Sequence, residues 1–229
     1  AEKLRPSSQL EKVHSAQQLT REARRLLELV GDVSFQGAVD LRPLTDQTLH
    51  DITLEPLTIL SIRNTLVLSR DARRQFIEHQ ADIPALAKLA ENLSDGSGLV
   101  DLINKTLNDR GEVLDNASEK LSRIRSELKI THGRLMERLS RYLTDSSSSH
   151  MLQETLITQR NGRYVLPLRA EFKGRVKGLV HDQSASGMTL FIEPLPVVEW
   201  NNKYRELELQ ERDEVLRILH ALSLRIAEN

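Results

Sequence analysis

A chain of 229 residues with 39% hydrophobic content can bury a core, and its length allows one large or two small domains. Aromatic residues make up 3% against 28% charged, which argues against a sandwich or a large α/β enzyme and for long helices with solvated faces. The lack of cysteine excludes disulfides, thiol catalysis and cysteine-ligated zinc; no apolar run approaches the roughly 20 residues that span a bilayer and no signal peptide opens the chain, so a cytoplasmic protein without membrane contact is expected.

A first helix is expected after a cap at Ser7 or Ser8, with Leu10, Val13, Leu19, Ala23, Leu26, Leu27 and Val30 at helical spacing and Gly31 as the stop. A short helix near Asp40 to His50 follows, then one from Glu55-Pro56, where proline suits the first turn, to about Gln80. Ile83 to Leu93 and Leu99 to Leu107 read as two further helices, divided by the turn Ser94-Asp95-Gly96-Ser97-Gly98. Residues 1–115 are therefore expected to be helical throughout, joined by short turns.

From Asn116 or Ser118, a long helix carries Leu121, Ile124, Leu128, Leu135, Leu139 and Tyr142 or Leu143 in the narrow seam of a coiled coil. About 30 residues at 1.5 Å each give an arm roughly 45 Å long. The serine run at 146–149 ends it. A second arm, residues 196–229, carries Val197, Trp200, Tyr204, Leu207, Val215, Leu219, Leu222 and Ile226. Two arms flanking one insertion must return the chain to its start, so antiparallel pairing is expected. Ordinary core packing explains the seams more readily than partner binding does.

Between the arms, in residues 151–195, the period changes to alternation. Thr155–Thr158 reads as a strand, Asn161-Gly162 as a hairpin turn, and Arg163–Leu168 as the answering strand, which Pro167 assigns to an edge or bulge. Arg175–His181 and Met188–Ile192 complete a four-stranded antiparallel sheet. The fold class is thus mainly α with a small β insertion.

The net charge of −1 is unevenly divided. Between His150 and Asp182, six bases, Arg160, Arg163, Arg169, Lys173, Arg175 and Lys177, face three acids. Such a patch can bind a phosphate backbone, or it can protect edge strands from aggregation. Tyr164, Phe172 and Phe191 suit either stacking on bases or the core. A serine beside His181 and Asp182 suggests hydrolase chemistry, but the Asp182–Gly187 sextet reads as turn chemistry without triad geometry. No Walker A sequence is present, and the seven histidines, including His14, His50, His79, His132 and His220, form no metal set.

GRYVLPLRAEFKGRVKGLVHDQSASGMTLFIEP, followed by VVEWNNKYRELELQERDEVLRIL, closely resembles the clamp and returning lever helix of the MutS-two subfamily, bacterial paralogues of the mismatch-repair protein MutS. GEVLDNASEKLSRIRSELK resembles that subfamily's entry into the ascending lever. The resemblance implies a MutS-like helical core to residue 115, an ascending lever at 116–150, a β-rich clamp at 151–195 and a descending lever from 196. It implies a fragment that begins partway into the core, in a parent that is a cytoplasmic homodimer with an ATP- and magnesium-dependent ATPase and a C-terminal Smr nuclease domain. No cofactor, metal or catalytic residue is expected in this stretch. The implied ligand is branched or duplex DNA, in a parent linked to suppression of homologous recombination; the alternative is an interaction module that contacts ribosomal RNA or protein during rescue of collided ribosomes.

Overall fold

The computed structural model describes residues 8–49, 52–94 and 96–228. They form two compact units, one of residues up to Leu114 together with those from Ile218, the other of Asp115–Arg217. Ser7 and His50, which figure in the sequence expectations, lie outside the described residues.

In the first unit, helices α1 (Leu10–Val30), α2 (Arg42–Leu49), α3 (Pro56–Glu78), α4 (Pro84–Ala90) and α5 (Ser97–Thr106) follow the expected order. Ser8 does not cap α1; the cap position is Gln9, with no side-chain cap bond, while the Gly31 N–H closes the other end on the Leu27 carbonyl. Helix α4 starts at Ile83-Pro84 without a capping side chain of its own. Glu22 of α1, buried, supplies the acceptor instead: its carboxylate takes the Leu86 N–H at 2.8 Å and is steadied by Gln18 Nε2 at 2.9 Å. Ile59, Ile62, Ile83, Ile103 and Leu107 form the dry centre of this unit. The C-terminal residues are tied to it where Ser223 Oγ accepts the Leu54 N–H at 2.9 Å and donates to the Leu219 carbonyl.

The second unit begins with α6 (Glu119–Thr144), capped by Ser118, whose hydroxyl accepts the Leu121 N–H at 2.9 Å. Leu121, Ile124, Thr131, Leu135 and Leu139 form its buried stripe. The serine run follows the end of α6, as expected, and turns once more: Asp145 accepts the Ser147 N–H and starts the one-turn helix α7 (Ser146–Ser149). Strands β1 (Thr158–Arg160), β2 (Arg163–Arg169), β3 (Gly178–Gln183) and β4 (Thr189–Pro194) lead directly into α8 (Leu195–Ala227). Helices α6 and α8 run antiparallel, as expected. Ser118 and Lys120 meet Glu214, Arg125 meets Glu211, His132 meets Tyr204 and Arg138 meets Trp200, so numbers rise on one helix as they fall on the other.

Glu214 is fully buried, with Arg217 Nη2 at 2.6 Å, Ser118 Oγ at 2.8 Å and Lys120 Nζ at 3.2 Å. The Arg217 hydrogen bonds, helped by Ser118 and Lys120 against the cost of burial, pull its carboxyl from 4.5 down to about 2. A folded value below the unfolded one means that the stabilisation is complete above about pH 4.5 and is lost as pH falls towards 2. Trp200, the single tryptophan, reports on this unit. Denaturation followed by its fluorescence is expected to show stability falling through that window in the wild type and a flatter profile in Glu214→Gln.

The sheet is antiparallel in the order β1-β2-β4-β3. Asn161 (φ 51°) and Gly162 (φ 74°) supply the two left-handed positions that a tight hairpin requires. Three strand expectations are corrected. The first strand starts at Thr158 rather than Thr155, and Arg175–Lys177 precede β3 instead of forming its start. Strand β2 lies inside the sheet, not at an edge. Pro167 is tolerated there because the β1 ladder ends at Val165 and only the single Leu152–Leu168 bridge follows; the Pro167 carbonyl accepts the Gln153 N–H, and the one bond forgone is the return N–H that proline lacks. At Gly178 the backbone passes so close to the Glu193 carbonyl that a Cβ would overlap it and stand 2.9 Å from Ile192 Cγ1, so only glycine fits. One sheet face packs Leu166, Leu168 and Ile192 against Leu135, Leu139 and Val197 of the helices.

Candidate nucleic-acid interface

The six bases singled out in the sequence divide into two groups. Arg160 and Arg163 lie on the sheet face opposite the core and are neutralised within the unit. Arg163 Nη1 donates to Glu193 at 2.7 Å and its Nη2 to Asn202, while Glu193, with no exposed surface, also meets His181 Nε2 at 2.5 Å and Asn201 Nδ2 at 2.7 Å. Asn201 in addition bonds both the N–H and the carbonyl of Tyr164, which fixes α8 to β2. Arg160 stacks over Phe191, 4.0 Å from the ring centre, with Asp182 at 3.4 Å. Burial of Glu193 drives this grouping, since a carboxylate out of water must collect donors.

Arg169, Lys173, Arg175 and Lys177 remain exposed. Arg169 ends β2, and the other three belong to the β2–β3 connection, where a 3₁₀ turn at Ala170–Phe172 and Gly174 (φ 83°) bring the chain round. Arg175 and Lys177 are gathered there with Arg138 and Arg141 of α6 around a cleft of about 840 Å³. Arg138, Arg175 and Lys177 have no carboxylate partner among the described residues; Arg141 meets Glu137 at 2.7 Å in an exposed pair, which is worth little. Arg138 is set in place from behind, its guanidinium 5.4 Å from the centre of the Trp200 ring, which Arg134 approaches equally. The cleft's one acid, Asp145, is engaged with the Ser147 N–H, which holds its carboxyl below the ordinary carboxylate range. Arg169 and Lys173 do not line the cleft.

The arrangement suits an anion. Four cations from a helix and a loop converge on one hollow, and three of them form no ion pair among the described residues. Sequence reasoning missed Arg138 and Arg141, although Arg134, Arg138 and Arg141 repeat at helical spacing on the exposed side of α6, away from Leu135 and Leu139.

The aromatic residues are packed rather than presented. Tyr164 and Phe172 rest against the core, with Tyr164 edge-on to Tyr204 at 5.6 Å. In the 182–187 segment Ser184 Oγ accepts the Thr189 N–H at 3.0 Å and lies 3.3 Å from Ser186 Oγ, so these hydroxyls serve the turn while His181 is directed at Glu193. No helix among the described residues is long and apolar enough to cross a membrane.

A chain that several curated relatives match over nearly its whole length, mostly helical with one four-stranded antiparallel sheet, belongs with proteins of MutS type. The whole chain is 41% identical to Endonuclease MutS2 of Geobacillus sp. (strain WCH70), covering 30% of that protein. It is 39% identical over 99% of its length to Endonuclease MutS2 of Symbiobacterium thermophilum, and 38% identical over its whole length to that of Thermomicrobium roseum, covering 28% and 29% of those proteins. The chain belongs to the MutS2 family, and it spans about 30% of the length of these curated relatives. No family model matches it.

Proposed function

We propose that this chain is a nucleic-acid-binding segment of a MutS2-type protein, in which α6 and α8 act as lever arms and the sheet with its β2–β3 connection acts as a clamp on duplex or branched DNA. The observation that carries the reading is the cleft at Arg138, Arg141, Arg175 and Lys177, of which only Arg141 has an ion-pair partner among the described residues. Arg169 and Lys173 extend the positive surface along the same connection. Arg160 and Arg163 have a structural role in this reading, because Glu193 and Asp182 already engage them. Contacts through phosphate fix position without reading sequence, so binding is sequence-tolerant and strongly salt-dependent.

Fluorescence anisotropy with labelled duplexes of unrelated sequence and a four-way junction tests this. Affinities are expected to agree within a few-fold among duplex sequences and to fall steeply between low and moderate salt. Absence of binding at low salt, or an affinity indifferent to salt, would overturn the proposal.

A further inference from the structure

The cationic cleft is more than a phosphate track, because its floor is apolar. Tyr142, Met151, Val176 and Leu195 line the same cleft as Arg138, Arg141, Arg175 and Lys177. Leu195 is half exposed, at 52%, and Tyr142, Met151 and Val176 rest on the core beneath, which makes the floor firm. A groove that only followed a duplex backbone would not need such a floor, since phosphates and sugars offer it little to bury. A volume of about 840 Å³ falls within the size range of sites that enclose a small molecule. Burial pushes the Tyr142 hydroxyl's pKa up, so the phenol stays neutral and adds no charge against the bases around it.

Resting on the nucleic-acid reading above, we infer that the cleft accepts an unstacked nucleotide of a DNA strand, its base lying on Tyr142, Met151, Val176 and Leu195 and its flanking phosphates held by Arg138, Arg141, Arg175 and Lys177. The chemistry selects this occupant over a fully paired duplex. A paired base shows only its edges, whereas an unpaired base offers a flat apolar face that gains from leaving water against side chains of this kind. The cations come from two elements, α6 and the β2–β3 connection, so more than one phosphate of the strand can be neutralised together. Junctions, gaps and bulges present such nucleotides at little cost, because the base is already out of the stack.

The test uses the whole chain and three labelled duplexes of one sequence: fully paired, with a single-nucleotide bulge, and with the same bulge made abasic. The bulged duplex is expected to bind about tenfold more tightly than the paired one, the gain of one stacked base, and the abasic bulge to lose that gain. Val176→Ala/Leu195→Ala, with folding checked by Trp200 fluorescence, is expected to abolish the preference, so that bulged, abasic and paired duplexes bind the variant alike. Equal binding of paired, bulged and abasic duplexes overturns the inference and leaves the nucleic-acid reading standing. Failure of all three to bind overturns both. Competition by a free mononucleotide as effective as that by the bulged strand shows a free-nucleotide site and also overturns the inference.

Discussion

Glu193→Ala is expected to lower the stability of the sheet-bearing unit by about 3 kcal/mol, near the lower end of what removing one member of a buried ion pair costs. Glu193 has no exposed surface and receives Arg163, His181 and Asn201, from β2, β3 and α8 respectively. Without it Arg163 keeps only Asn202, and Asn201 keeps only the Tyr164 backbone. Arg163 retains 27% of its side-chain surface in water, so its charge is not stranded, which is why the lower end of the range applies. Chemical denaturation followed by Trp200 fluorescence should show the midpoint falling with little change in slope. Glu193→Gln keeps the shape and one acceptor and should cost less. Arg163→Met/Glu193→Leu removes both charges at roughly constant volume and should be more stable than Glu193→Ala alone, because nothing ionic is left to satisfy. An unchanged midpoint in Glu193→Ala would show that the network contributes nothing to the unit.

The second large effect falls on binding. Replacing Arg138, Arg141, Arg175 and Lys177 together by alanine is expected to weaken duplex and junction binding about 100-fold at moderate salt, because four phosphate contacts are lost at once. The unfolding midpoint should move little, since Arg138, Arg175 and Lys177 pair with no carboxylate among the described residues and the Arg141–Glu137 pair is exposed. Arg160→Ala should do the reverse in a milder form. Its guanidinium is engaged by Phe191 and Asp182, so its loss should disturb the sheet more than the affinity. A four-cation variant that binds like wild type would remove the cleft from the function.

Much of the fold was legible in the sequence because it rests on local signals. The apolar period located the helices, Asn161-Gly162 fixed the hairpin, and Pro56 and Gly31 marked helix ends where they were expected. The errors lie where a distant partner decides. Pro167 reads locally as an edge residue; it stands inside the sheet because the ladder on its nitrogen side stops two residues earlier, which only the register shows. Asn201 and Glu214 interrupt the apolar stripe of α8, yet both are buried, since Tyr164, Glu193, Ser118 and Arg217 supply their partners. The same limit applies to the candidate site. Six bases in one stretch look equivalent in a sequence, and the division between Arg163 and Arg175 depends on Glu193 standing beside one and not the other. Arg138 and Arg141 come from a helix some 35 residues earlier, so a window along the chain does not include them.

The most direct test of the central claim, that this cleft holds phosphate, is the salt dependence of DNA binding measured side by side on the wild type and the four-cation variant. Each neutralised phosphate contributes about 0.9 to the slope of log K against log salt, so the account predicts a slope for the variant shallower by about 3 to 4. Equal slopes would contradict it, because the phosphate contacts would then lie elsewhere on the chain.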